Sequence, residues 1–180
     1  GDRLLIVHND GHRGFALAQA PLTAPETWEE LLVAGEGERL LAVEAFAGFV
    51  ALELRSGGLA SVRVIPRAAD GSLLLEQSAD ISHGGELDTV ELDANPNWDQ
   101  TTVRYELTSM LTPPTIAERV IGSGETTILR VTPVPHYDPA QYVERREWAQ
   151  AADGTAIPLS VVAHRDVPAD GTAPGDLYRD

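Results

Sequence analysis

Hydrolysis at a serine needs a hydroxyl on a sharp turn, a histidine to take its proton and a carboxylate to orient that histidine. The 180-residue sequence holds all three residue types, but not the spacing that marks such a site. A nucleophile on a strained strand-to-helix elbow has glycine two residues to either side, and no serine here is flanked in that way. Ser123 lies directly between Gly122 and Gly124, which reads as a turn. The five histidines, His8, His12, His83, His136 and His164, fall at strand ends and in loops without an anchoring motif, and are read as structural.

Metal chemistry fares little better. His8 and His12 are four apart, the spacing that puts two imidazoles on one helical face for zinc, yet Asn9-Asp10-Gly11 between them makes a turn. A metal clip across a hairpin is the lesser reading and solvated turn flanks the main one. Asp93-Ala94-Asn95-Pro96-Asn97-Trp98-Asp99 offers oxygen ligands at alternate positions, as a calcium loop does. Its sixth position is Trp98 where glycine is needed, and its twelfth is Arg104 where a glutamate should close the site. A polar loop between strands is expected, with the Trp98 ring over a sheet edge. Glu86, Asp88, Glu91 and Asp93 read as the solvent face of a strand. No residue is therefore assigned to a catalytic, cofactor-binding or metal site, and no cofactor is expected. Without cysteine, thiolate chemistry and disulfides are excluded.

Thirteen basic against 28 acidic residues give a net charge of −15, which repels a phosphate backbone and an anionic bilayer alike. Neither nucleic acid nor membrane is an expected partner. With 43% hydrophobic and 23% charged residues the chain has the composition of a folded domain. No apolar run approaches the roughly 18 residues of a membrane span. Gly1-Asp2-Arg3 lacks the layout of a secretory signal, so a cytoplasmic location is the default expectation.

The elements that must position any site are strands. Over 49–55, Val50, Leu52 and Leu54 alternate with Phe49, Ala51 and Glu53, a turn follows at Ser56-Gly57-Gly58, and 59–65 returns. Residues 4–8 lead through Asn9-Asp10-Gly11 into 14–19. Val103, Tyr105 and Leu107 alternate before Pro113-Pro114 and a return over 115–120. Taking Leu4, Val50 and Val103 as equivalent gives steps of 46 and 53 residues, a period suited to four-stranded propeller blades. Such sheets stack because one alone cannot bury both of its faces. About three blades fit, fewer than a closed ring requires, so bare edges and self-association through them are expected. Thr27 to Leu32 has the form of a capping box, but the β surroundings favour a strand carrying Leu31 and Val33. Pro133, Pro135 and Pro139 mark a linker. Glu147 to Gln150, Asp153-Gly154 and 157–163 then form a hairpin, and the tail from Asp166 is turn-rich.

Several segments are more specific. Tyr142-x-Glu144-x-x-x-Trp148 followed by Asp153-Gly154-Thr155-x-Ile157-Pro158-Leu159-Ser160-Val161-Val162 resembles the junction between propeller and catalytic domain in the prolyl oligopeptidase family of serine peptidases, most closely its oligopeptidase B branch. Trp28-Glu29-Glu30-Leu31, Gly58-Leu59, Arg104-Tyr105, Thr108-Ser109-Met110-x-Thr112-Pro113 and Val134-Pro135-x-Tyr137 resemble the same enzymes in the same order. The resemblance implies an all-β fold: a partial β-propeller of about three four-stranded antiparallel blades over 1–132, a linker over 133–145, and over 146–180 the first strands of an α/β-hydrolase domain. It implies a serine oligopeptidase cleaving short peptides after arginine or lysine, its propeller gating access by size. The catalytic residues of such enzymes have no counterpart here, so the segment alone is expected to be inactive. The alternative is a non-catalytic β-repeat module that binds peptides or partner proteins.

Overall fold

A computed structural model describes residues 3–168 and 170–178. The expected end of the tail at Arg179-Asp180, like Gly1-Asp2, lies outside the described residues. Strands β1 (Arg3–His8), β2 (Ala16–Pro21) and β3 (Glu29–Val33) make a first antiparallel sheet in chain order. A second holds β4 (Glu38–Ala45), β5 (Phe49–Ser56), β6 (Leu59–Pro66) and β7 (Ala79–Asp80). A third holds β8 (Thr89–Leu92), β9 (Thr102–Thr108), β10 (Thr115–Val120) and β11 (Thr126–Val131). Strands β12 (Tyr142–Gln150) and β13 (Ala156–His164) form a separate hairpin in unbroken register.

The three sheets stack face to face as a fan, a partial β-propeller, and β5 shows why. Its alternation sends Val50, Leu52 and Leu54 into one core, with Leu17, Leu40 and Ile65, against the first sheet. Phe49 and Ala51 enter the other core, with Val90, Val103, Tyr105, Leu107 and Ala117 of the third. The middle sheet is buried on both faces, and each fully buried branched or aromatic side chain contributes about 1.5–3 kcal/mol. The outer sheets each pack one face. β1, β5 and β9 do occupy equivalent places. In the second and third sheets β4 and β8 flank that strand, whereas β1 is an edge strand among the described residues. The first sheet therefore has three strands rather than the expected four.

Two turns need glycine. Gly57 and Gly58 have φ of 56° and 86°, the left-handed pair that a tight two-residue hairpin requires. Gly14 permits a close approach: its carbonyl accepts from Leu40 N at 2.8 Å, and a Cβ there would lie 2.6 Å from Glu38 O. β2 starts at Ala16, two residues later than the pattern suggests, after Phe15, whose φ of 70° and hydrogen bond to His12 O belong to a turn. The segment with the capping-box form is a strand, since β3 pairs with β2 from Glu29 onward. Asp153 and Gly154 sit within a loop over 151–155, closed by Ala151 N to Thr155 O at 2.8 Å. Among the described residues no helix is long and apolar enough to cross a membrane.

Candidate functional site

The sequence-level candidates disperse through the fan. Ser123 Oγ caps its own turn, accepting from Glu125 N. His12 Nε2 lies 2.7 Å from Glu30 Oε2, His83 Nε2 lies 2.8 Å from the Tyr105 hydroxyl, and His164 Nδ1 accepts from Asp166 N. His8 packs against Trp28 with centroids 5.2 Å apart, and its two ring nitrogens are buried with no hydrogen-bond partner. The rings of His8 and His12 do approach, at 6.2 Å. Among the described residues, however, no group of three or more histidine or carboxylate side chains is placed to hold a metal ion.

The calcium-like loop is organised around its backbone. The Asn95 amide donates to Asp93 O and Arg104 O at 2.6 and 2.9 Å, and its oxygen accepts from Arg104 N and Gln100 Nε2 at 2.8 Å each. The side chain that would offer a ligand thus splices β8 to β9. Trp98, half exposed, lines a cavity together with Arg3, Leu4 and Leu5 of the edge strand β1, while its carbonyl accepts from Ala47 N at 2.8 Å. Of the four acidic residues read as a strand face, only Glu91 lies in β8. Asp88 instead accepts from Gly85 N in the preceding turn.

Two ends of the fan carry distinct features. At one end the turns after β5 and β9 meet the hairpin. Arg146 donates to Gly57 O and to Ser160 Oγ, and its guanidinium lies over the Trp148 ring. Glu144 accepts from Leu111 N at 3.1 Å, and the Tyr137 hydroxyl donates to Leu111 O at 2.7 Å. At the opposite end, the turns after β4 and β6 and the Trp98 loop enclose, with the first sheet, a cavity of about 750 Å³. Its wall includes Arg3, Gln19 and Glu29 from one sheet and Arg67 and Asp70 from the next. Gln19 Nε2 donates to Glu29 at 2.8 Å, and Asp70 accepts from Ser72 N and Oγ at 3.0 and 2.6 Å. Sequence reasoning did not mark Arg67, and it marked Trp98 only as a ring over a sheet edge. They come together only through the stacking of sheets, and no local spacing signals that.

A fan of stacked antiparallel sheets joined to a separate hairpin defines a partial β-propeller. Residues 1–132 match the prolyl oligopeptidase N-terminal β-propeller domain, and the chain belongs to that family. It is 36% identical over 178 residues to dipeptidyl aminopeptidase BI of Pseudoxanthomonas mexicana, covering 97% of this chain and 24% of that protein. It is 29% identical to protease 2 of Moraxella lacunata, over 98% of this chain and 25% of that one. In fold it is similar to oligopeptidase B from Trypanosoma brucei, solved with covalently bound antipain: TM-score 0.85 at 24% identity, over 93% of this chain and 24% of that one. The chain thus spans about a quarter of the length of the curated relatives it matches.

Proposed function

We propose that the chain is the propeller part of a cytoplasmic serine oligopeptidase that cleaves short peptides after arginine or lysine. On this reading β12 and β13 open the α/β-hydrolase domain that holds the serine. The observation that carries it is the stacked fan over residues that match the peptidase propeller family, followed directly by a hairpin docked on two of its turns. A propeller over a catalytic centre excludes folded proteins and admits flexible chains, so selection by access adds to selection by the pocket. The charge of −15 favours the approach of basic peptides.

By itself the segment is inactive and associates through its bare strand edges. The test is to incubate the 180-residue chain with an arginyl peptide substrate and a serine-directed probe. No turnover and no labelled serine are expected, and labelling of any serine here overturns the assignment. The non-catalytic alternative is separated by the gene: an in-frame glycine-x-serine-x-glycine elbow downstream supports the peptidase, and its absence supports a binding module.

A further inference from the structure

Arg67 stands in the wall of the 750 Å³ cavity without a carboxylate partner among the described residues. Its Nε donates to Phe46 O at 3.2 Å and its Nη1 to Gly71 O at 2.9 Å. Both acceptors are neutral carbonyls. Its Nη2 makes no hydrogen bond among the described residues, and Asp70, three residues on, is taken up by Ser72. Burial draws this guanidinium below its usual pKa. Arg63, by contrast, is held between two carboxylates that raise it. An uncompensated, half-buried cation is costly, and a chain with 28 acidic side chains had ample means to neutralise it.

We propose that this cavity binds a carboxylate monoanion with an apolar tail, as a short peptide presents at its C-terminus, anchored on Arg67 Nη2. With Nε and Nη1 each donating to a carbonyl, Nη2 offers a charge-assisted hydrogen bond to a carboxylate oxygen. The cavity holds Arg3 and Arg67 against Glu29 and Asp70, so its formal charge is balanced, and the apolar part of the wall is what favours a carboxylate with a tail over inorganic phosphate. Leu5, Val43 and Ala45 supply apolar wall, and the half-exposed Trp98 ring offers a face for the tail. Binding here is a property of this chain and does not depend on the peptidase reading.

The experiment titrates the 180-residue chain with N-acetyl-Ala-Leu-Ala as the free acid, with its C-terminal amide, and with inorganic phosphate, by calorimetry and ligand-observed NMR. Saturable binding of the acid is expected, with the amide and phosphate weaker by about tenfold or more, the usual worth of a charge-assisted hydrogen bond. Arg67→Gln should weaken the acid by a similar factor. No saturable binding, equal affinity for acid and amide, or an unchanged affinity in Arg67→Gln overturns the proposal. Arg67 also pins two loops, so circular dichroism and melting accompany that variant. If it does not fold, Trp98→Ala decides: a several-fold loss for the acid supports the site, and unchanged affinity rejects it.

Discussion

Arg63 Nη2 on β6 meets Glu38 Oε1 on β4 at 2.8 Å, joining the two strands that flank β5, while Arg63 Nε reaches Asp80 on β7 at 2.6 Å. The Arg63 and Glu38 side chains are 19% and 20% exposed, so solvent screens the pair only in part. The hydrogen bond from Arg63 holds the Glu38 carboxyl below its usual range. A depressed carboxyl stabilises the fold fully above its unfolded pKa of about 4.3, and that contribution is lost as pH falls through the folded value. Glu38→Gln should cost about 1–3 kcal/mol at neutral pH and flatten the acid limb of the stability profile. Urea denaturation across pH 3 to 7 (roughly the span over which carboxyls titrate) checks both. An acid limb as steep in the variant as in the parent would sink the argument.

Tyr105 is fully buried between the second and third sheets, and burial raises its phenol above the ordinary value. A raised phenol means that the neutral form is the folded one. Its contribution is intact below pH about 10 and falls away as pH climbs from there toward the folded value. Tyr105→Phe loses the contact with His83 and should cost about 0.5–1.5 kcal/mol, while abolishing one late phenolate transition in an ultraviolet pH titration. Tyr105→Ala should cost about 3–5 kcal/mol through the cavity it leaves. Denaturant midpoints at constant slope provide the measurement.

Gly14→Ala places a methyl group 2.6 Å from Glu38 O, a backbone atom that cannot swing aside. A loss of about 1–3 kcal/mol is expected from the forced shift. Gly48→Ala, with nothing within 4 Å of the added carbon, should stay within about 0.5 kcal/mol of the parent. Equal melting points for the two variants would contradict the close-packing argument.

The Asn95 loop should melt at the same temperature with calcium or with a chelator, because Asn95 is spent on the backbone. Asn95→Asp keeps an oxygen acceptor but loses the amide donors, so Asp93 O loses its Asn95 bond and Arg104 O keeps only that from Asp93 N. That change should destabilise by about 1–3 kcal/mol. A calcium-dependent rise in the melting point of the parent would reverse the assignment.

What could be read from the sequence follows from where period two survives. β5, β6, β9 and β10 were legible because alternate residues enter different environments. Strands with a bulge were harder to read. Leu40 faces Leu54 but Ala42 faces Glu53, so Leu41 is an extra, half-exposed residue and the run 40–43 has no clean alternation. The same slip leaves Leu31 over between the partners Leu32 and Glu30, which is why that segment also fitted a helix. In β11 Leu129 is the surplus, between Ile128 and Arg130. An inserted residue reverses the inward set from that point on. The Arg63 cluster and the Arg67 cavity lay beyond reach for another reason. Their members are brought together by sheet order and stacking, which the order of residues along a strand does not encode.

The hairpin holds the turn after β5 through Arg146 and the loop after β9 through Glu144, and those two anchor points belong to different sheets. A rod pinned at two places cannot follow both when they diverge. A small opening of the wedge between the second and third sheets must therefore release one pin or tilt β13, so that breathing of the fan is passed to whatever β13 supports as a change of angle.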